Sequence, residues 1–147
     1  MENAVKHETR QFLVFRLGKE EYGIDIRSIT TIIEKDMVIA RVPDTPEFIK
    51  GVINLRGEIV PIMDTRKRFS LPQVEDTENT RIIIVKIEDI IVGIIVDEVA
   101  EVVHLDDEYI ENIANFSSDL SMDYIYGVGK VENRIITLLK LDKLLSL

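Results

Sequence analysis

Two residue types are missing from this 147-residue chain, which contains no cysteine and no tryptophan. Without thiols the chain can form neither a disulfide framework nor a zinc–thiolate site, and it has no cysteine nucleophile. Its apolar runs are short, well below the roughly 18–20 residues that a membrane-spanning helix needs. The first ten residues also lack the apolar core of a signal peptide. We therefore expect a cytoplasmic protein.

Positive charge is scarce as well. The chain has 18 Lys and Arg against 27 Asp and Glu, which gives a formal net charge of −9. A nucleic-acid partner would require a basic face, and the only basic run, Arg66-Lys67-Arg68, has the pattern of a solvated helix end. We therefore expect no nucleic-acid partner.

Residues that could carry catalysis are also few. The only histidines are His7, in the polar segment 1–10 that we expect to be a flexible tail, and His104, which ends an apolar run. Nucleophilic catalysis needs a nucleophile beside a base, and the seven glycines are too scattered to form a phosphate-binding loop. The sequence predicts that the protein is not an enzyme.

Acidic clusters do not change this interpretation. Asp106-Asp107-Glu108 lacks the alternating ligands and sharp glycine turn of a calcium loop, and its pattern is typical of a helix cap. Asp97 and Glu98 are neighbours on a predicted strand and would point to opposite faces. We expect no metal site and no cofactor.

The most distinctive stretch is residues 51–64, where two β-branched runs flank Arg56-Gly57-Glu58. Such runs, broken by a glycine-containing turn, predict a β-hairpin with a charged, accessible tip. Pro61 cannot donate a ladder hydrogen bond, which predicts an edge strand or a bulge for the second run.

Three short segments carry helix signals. In 45–51, Thr45 is a candidate cap, proline follows at the first helical position and Gly51 is a stop signal. Segments 64–69 and 142–145 predict two further helical turns, the first of them capped by Asp64.

The sequence pattern restarts after the polar segment 71–80. Residues 12–17 match 82–87 at an offset of 70, and residues 51–52 match 127–128 at an offset of 76. The hairpin tip corresponds to Glu132-Asn133-Arg134, where Asn133 tolerates positive φ.

This repeat predicts a mainly β protein with a few short helices. Two similar halves of mostly short strands favour two small β-barrels that share an apolar interface. We expect subdomains at 11–77 and 78–147 after the tail 1–10, with strand exchange between the halves as an option. Apolar residues exceed what one barrel face needs, so the surplus either fills the interface or exposes a face for a partner.

Several motifs resemble the CheW family of chemotaxis coupling proteins. They are Phe12–Phe15, Glu21–Ile26, Thr45–Gly57, Ile59–Ile62, Val92–Asp97 and Asp142–Leu145. The resemblance implies two SH3-like, five-stranded β-barrels that form a non-enzymatic scaffold. It also implies two partners, the regulatory domain of the histidine kinase CheA and the cytoplasmic tip of methyl-accepting chemoreceptors. Recruitment to membrane receptor arrays would occur through these partners, without direct membrane insertion.

The resemblance also implies functional positions. The kinase-facing residues would be Leu13, Ile26 and Ile29. The receptor-facing residues would be Arg56, Ile82 and Val102, and the motif turn would comprise Asn54, Gly57 and Glu58.

One position departs from the family pattern. The family often has a glutamate, paired with the motif arginine, where this chain has Thr31, and Glu34 is the nearest substitute.

The alternative hypothesis is a ligand-binding or enzymatic protein with its site between the barrels.

Overall fold

The structure is a computed structural model that describes residues 9–112 and 123–146. Residues 1–8 of the predicted tail lie outside the described residues, whereas Thr9 and Arg10 already belong to the first strand. The strands are β1 Thr9–Leu17, β2 Glu20–Asp25, β3 Ile29–Glu34, β4 Ile49–Leu55, β5 Glu58–Asp64, β6 Arg81–Ile87, β7 Ile90–Val96, β8 Glu98–Asp106, β9 Ile110–Glu111, β10 Ile125–Val131 and β11 Arg134–Leu139. The helices are α1 Thr65–Arg68 and α2 Leu141–Leu144, with 3-10 turns at Ile26–Ser28 and Asp107–Tyr109.

The strands form two sheets, which confirms the predicted two-barrel, mainly β fold. Sheet A has the order β8-β1-β2-β11-β10-β9, and sheet B has the order β3-β6-β7-β5-β4. Sheet A has one strand more than the five predicted, because the two-residue β9 pairs with β10.

The two sheets repeat each other in register. In sheet A, β2 and β11 pair in parallel with Gly23 opposite Leu138, and in sheet B, β7 and β5 pair in parallel with Gly93 opposite Ile62. These partners are related by the same offsets of 70 and 76 residues that the sequence displays. A Cβ on either glycine would contact the isoleucine or leucine side chain of its partner strand. The close approach of the parallel strands therefore requires glycine at both places.

Each sheet draws strands from both halves of the chain. Strands β1 and β2 join β8–β11 in sheet A, while β3–β5 join β6 and β7 in sheet B. The division into subdomains 11–77 and 78–147 stays a prediction.

Three apolar clusters hold the fold together. The largest combines buried residues of both sheets, among them Phe15 and Ile94, and therefore fills the space between the sheets. Two smaller clusters lie inside the individual sheets, around Val14 in sheet A and Ile62 in sheet B. Both options for the surplus apolar residues occur, because Val99 packs against the inter-sheet cluster whereas Val102 remains exposed.

The helix predicted at 45–51 is wrong, because β4 already begins at Ile49. Gly51 does not end a helix there. A Cβ at Gly51 would collide with the carbonyl oxygen of Ala40, whose backbone pairs with Val52. Glycine is therefore required by the close approach of another chain segment.

Pro61 does not lie on an edge strand, because β5 is flanked by β4 and β7. The other predicted option, a bulge, occurs in the β4–β5 ladder, but between Ile49 and Gly51 on β4 and not at Pro61. The parallel pairing with β7 begins only at Ile62, so no ladder bond is needed from the nitrogen of Pro61 on that side. The capped turn at Asp64 is confirmed, since its carboxylate accepts a hydrogen bond from the backbone N–H of Lys67 at 3.2 Å.

Candidate partner-binding surfaces

The tip of the β4–β5 hairpin is a two-residue turn. Leu55 lies opposite Glu58, so Arg56 and Gly57 alone form the turn and Glu58 already belongs to β5. Arg56 has a φ of 53° and Gly57 a φ of 90°. Positive φ at both central residues is typical of a type I′ turn, which matches the twist of the flanking strands. The backbone N–H of Gly57 also donates to Asn54 Oδ1 at 2.9 Å, which holds the tip in one conformation.

Arg56 is exposed, and within residues 9–112 and 123–146 no hydrogen bond or ion pair occupies its guanidinium. The expected substitute, Glu34, lies opposite Arg81 on β6, and Thr31 lies opposite Ile84. The pairing between Glu34 and Arg56 that the sequence left open is therefore absent from the described part of the chain. The tip presents an unneutralised positive charge.

The equivalent tip in sheet A differs. Positive φ occurs at Glu132, with a value of 56°, and not at Asn133, the residue noted for tolerating it. Arg134, which follows Asn133, donates from Nε to Glu21 Oε1 at 2.8 Å and from Nη1 to Glu101 Oε2. This second tip is therefore tied to its own sheet.

Glu21 is the centre of that ion-pair network. The hydrogen bond from Arg134 lowers the pKa of the Glu21 carboxyl, and Arg16 lowers it further from 3.2 Å. The same contacts raise the pKa of Arg134. At an offset of 70 residues, the counterpart of Glu101 in sheet B is Thr31. Thr31 stands where the family often has a glutamate. The second repeat has a carboxylate at the equivalent position, Glu101, and that carboxylate is bound to Arg134.

The residues assigned to the kinase lie around the passage from sheet A to sheet B. Ile26 is in the 3-10 turn that follows β2, and Ile29 begins β3; both are half-buried. Leu13 is only 6% exposed, and its partner on β8 is Val102, which is 38% exposed. The structure thus brings Val102 next to Leu13, although the resemblance assigned them to different partners.

Ile82 and Leu13 do not fit the direct contacts expected of them. Ile82 is 1% exposed and belongs to the cluster inside sheet B together with Ile53 and Val60. A side chain at that depth offers no area to a partner, and Ile82 belongs to the interior of sheet B. Leu13 is likewise too deeply buried to offer area to a partner, because it packs in the inter-sheet cluster.

Two exposed apolar residues near the first tip were missed. Strands β5 and β7 run parallel, so their first residues lie at the same end of sheet B. Ile59 and Ile90, near those starts, are exposed by 62% and 53%. In sequence they are indistinguishable from buried strand residues, although both precede the residues at which β5 and β7 pair with each other. Arg56 therefore shares its end of the sheet with apolar surface.

A second charged group lies at the passage between the sheets. Asp25 accepts hydrogen bonds from the backbone N–H of Arg27 at 2.9 Å and from its guanidinium at 2.8 Å, and Arg10 approaches to 3.3 Å. The Arg27 side chain is the main reason why the pKa of Asp25 falls to about 2. These contacts fix the turn that carries Ile26.

Two kinds of feature are absent from the described part of the chain. Among these residues no three His, Asp or Glu side chains are grouped so as to hold a metal ion. None of the helices there has the length and apolar character needed to span a bilayer. What the surfaces provide is a rigid charged tip, exposed apolar side chains and a half-buried apolar patch, all of which suit binding to proteins.

Comparisons with known proteins agree with this picture. Residues 11–147 match the model of the CheW-like domain family. The chain is 44% identical to the chemotaxis protein CheW of Klebsiella aerogenes over 137 residues, covering 93% of this chain and 82% of that protein. It is 38% identical to the Bacillus subtilis protein of the same name, covering 92% and 86%. The crystal structure of the scaffolding protein TtCheW from Thermoanaerobacter tengcongensis superposes with a TM-score of 0.86 at 37% identity, covering 95% of this chain and 94% of that one.

Proposed function

Since this chain belongs to the family of CheW-like domains and is a chemotaxis coupling adaptor, we propose that it joins the histidine kinase CheA to chemoreceptors. The observation that carries the proposal is the family match over residues 11–147. The protein works by binding alone, without catalysis or cofactor. It resides in the cytoplasm and is recruited to receptor arrays through its partners.

The receptor surface is centred on Arg56. An exposed guanidinium without an internal partner can form a charge-assisted hydrogen bond with a carboxylate of the receptor tip. Ile59 and Ile90 at the same end of sheet B supply apolar area around that bond. Val102 contributes from β8, and Ile82 supports sheet B from inside.

The kinase surface is centred on Ile26 and Ile29, and Leu13 is buried in the inter-sheet cluster against which Ile29 packs. Half-buried apolar side chains that border a core can be covered by a partner with little loss of side-chain entropy. The regulatory domain of CheA is the partner that we assign to this surface.

The alternative hypothesis, a ligand-binding or enzymatic site between the barrels, gains no support. The space between the sheets is filled by fully buried side chains such as Phe15 and Ile94. An adaptor with rigid surfaces can instead transmit the state of the receptor through contacts that differ between the two signalling states.

The test is a pair of binding titrations followed by a ternary assay. The CheA regulatory domain and a receptor cytoplasmic fragment are each titrated into the protein by calorimetry, and kinase activity is then measured with all three components. We expect both binary complexes and a receptor-dependent rise in kinase activity. Absence of binding to either partner would refute the proposal.

A further inference from the structure

A polar cleft of about 450 Å³ lies beside Ile26, at the end of sheet A where β1 begins. Its other lining residues come from the start of β1, from β8 and from the turn after β2, and they are Thr9, Arg10, Gln11, Asp25, Arg27 and His104. The sequence assigned none of these six to a partner. The cleft therefore adds polar surface of no assigned role directly beside a residue of the kinase surface.

Gln11 and His104 continue the face of sheet A that carries Leu13 and Val102. Gln11 lies opposite His104, and Leu13 lies opposite Val102. Because alternate residues of a strand point to the same side, Gln11 shares a side of β1 with Leu13, and His104 shares a side of β8 with Val102. Leu13 is buried in the inter-sheet cluster, whereas Gln11 and His104 are exposed. This face therefore passes from the apolar core to polar surface within two residues.

The side chains of Gln11 and His104 hold each other. Gln11 Nε2 and His104 Nε2 are 2.7 Å apart. An amide nitrogen can only donate, so the imidazole Nε2 accepts and the neutral ring carries its proton on Nδ1. Neither side chain makes a second hydrogen bond within residues 9–112 and 123–146. The pair therefore keeps a donor, the imidazole Nδ1–H, and an acceptor, the carbonyl oxygen of Gln11, for a partner.

The charged groups around the cleft compensate one another. Asp25 accepts hydrogen bonds from the guanidinium groups of Arg10 and Arg27, at 3.3 and 2.8 Å. Asp106, opposite Thr9 on β8, accepts a hydrogen bond from the Thr9 hydroxyl at 2.6 Å. Two arginines and two aspartates leave these groups without net charge. An ion that entered the cleft would lose hydration without meeting an excess of opposite charge, so the cleft favours a neutral polar group.

We propose that Gln11 and His104 form a polar margin of the kinase surface and bind a neutral carboxamide side chain of the CheA regulatory domain. A carboxamide has an acceptor and a donor side by side, which match the donor of His104 and the acceptor of Gln11. Hydrogen-bonding groups at the rim of an apolar contact are the usual arrangement of an interface, and Ile26 supplies the apolar part here.

The inference rests on the proposed function, because it assigns the cleft to the partner that covers Ile26 and Ile29. Its consequence is selectivity among partners. A partner that covers the cleft without offering an amide leaves the imidazole Nδ1–H and the Gln11 carbonyl oxygen unpaired, which lowers its affinity.

The first test is a titration of the CheA regulatory domain into the full chain by calorimetry, with Gln11→Ala and His104→Ala beside the wild type. The matched control is Glu98→Ala. Glu98 pairs with Arg16 at 3.2 Å across the same two strands, at the other end of the β1–β8 ladder. We expect each test variant to weaken binding by about threefold to tenfold, and the control to stay within about twofold of the wild type. A loss below about twofold in either test variant would overturn the proposal.

Two further arms identify the kind of contact. Phenylalanine keeps an aromatic ring but has no ring nitrogen, so His104→Phe should lose as much affinity as His104→Ala. Wild-type affinity in His104→Phe would show that the ring only packs. The losses should also be equal in about 0.05 M and about 0.5 M salt, because salt screens interactions between charges. A loss that disappears at high salt would show an ionic occupant and contradict the carboxamide.

A measurement on the wild type needs no variant. We expect the ¹⁵N signals of the His104 ring and the Gln11 amide group to shift when the unlabelled regulatory domain is added, and to stay in place with the receptor fragment. Unmoved signals in the complex with the regulatory domain, or shifts with the receptor fragment as well, would refute this inference and leave the proposed function standing. Failure of the wild type to bind the regulatory domain would refute the proposed function and this inference with it.

Discussion

Replacing Arg56 with asparagine should stabilise the protein and at the same time weaken its binding to the receptor. The backbone of Arg56 is left-handed, with a φ of 53°. That conformation costs an ordinary L-residue about 1–2 kcal/mol, and asparagine tolerates it better than most residues. Arg56→Asn also creates the Asn-Gly pair that type I′ hairpin turns favour most strongly.

The expected gain in the free energy of unfolding of Arg56→Asn depends on which contacts the substitution leaves intact. Arg56 has no side-chain partner in the described part of the chain, so removing its guanidinium breaks no internal bond. We expect the free energy of unfolding to rise by about 0.5–1 kcal/mol, the part of the left-handed strain that asparagine relieves. For a chain of this length, 1 kcal/mol corresponds to a rise in Tm of roughly 2–4 °C.

The loss of binding has a separate origin. A hydrogen bond to a charged group contributes about 1.5–3 kcal/mol, so receptor affinity should fall between about tenfold and 150-fold. Arg56→Glu should reduce affinity further, because it adds repulsion from the carboxylate that we propose for the receptor tip, and it should abolish coupling while the fold stays intact. Urea unfolding followed by circular dichroism measures stability, and calorimetry with the receptor fragment measures affinity.

The repeat supplies a matched control for this prediction. Glu132 occupies the equivalent turn position with a φ of 56°, so Glu132→Asn relieves the same strain in sheet A. We expect a similar gain in stability with receptor affinity unchanged. The reasoning fails if Arg56→Asn binds the receptor as tightly as the wild type, or if it lowers stability by more than about 1 kcal/mol.

Three further predictions concern other parts of the chain. Ile29→Asp should weaken binding of the CheA regulatory domain by at least about tenfold in calorimetry, because it places a charge in the proposed apolar contact. Thr30→Asp, at the exposed neighbouring position, should leave this affinity unchanged. If Ile29→Asp binds the domain as tightly as the wild type does, Ile29 is not part of the interface. The pKa of Asp25 is lowered to about 2 from 3.8, so its contacts stabilise the fold fully above pH 3.8 and are lost as the pH falls through 2. Asp25→Asn should therefore cost about 1–2 kcal/mol at pH 7 and almost nothing near pH 2 in urea titrations, and a pH-independent cost would contradict this linkage. Thr65→Val should stabilise the protein by about 1 kcal/mol, because the buried Thr65 hydroxyl has no hydrogen-bond partner among the described residues. Thr80→Val should destabilise the protein, because the Thr80 hydroxyl accepts a hydrogen bond from the backbone N–H of Thr77 and valine cannot.

Local signals in the sequence were sufficient for much of the fold. The β-branched runs around Arg56-Gly57 predicted the hairpin, Asp64 predicted the start of α1, and the repeat predicted two related sheets. The errors arose where a remote segment decides the conformation. Gly51 faces Ala40 across a backbone contact, and Pro61 is tolerated because of where β7 begins to pair. Neither fact is encoded within a few residues of the position.

The candidate surfaces were predictable only in part. Arg56 stands out because a charged residue beside glycine at a hairpin tip is exposed by geometry alone. Leu13 and Ile82 could not be placed, because β1 and β6 are covered on both faces and their runs of consecutive buried residues show no alternation. When both faces of a strand are buried, sequence does not reveal which side chains line a surface and which fill a core.

The parallel pairing of β2 with β11 has a consequence for synthesis of the chain. Residues 20–25 find their final neighbour only when residues 134–139 have been made, and β1 must wait for β8. Contacts so distant in sequence slow folding, and a nascent chain leaves its early strands with unsatisfied edges for most of translation. We expect sheet A to be completed only after residues 134–139 have left the ribosome, later than a sheet of consecutive hairpins would be.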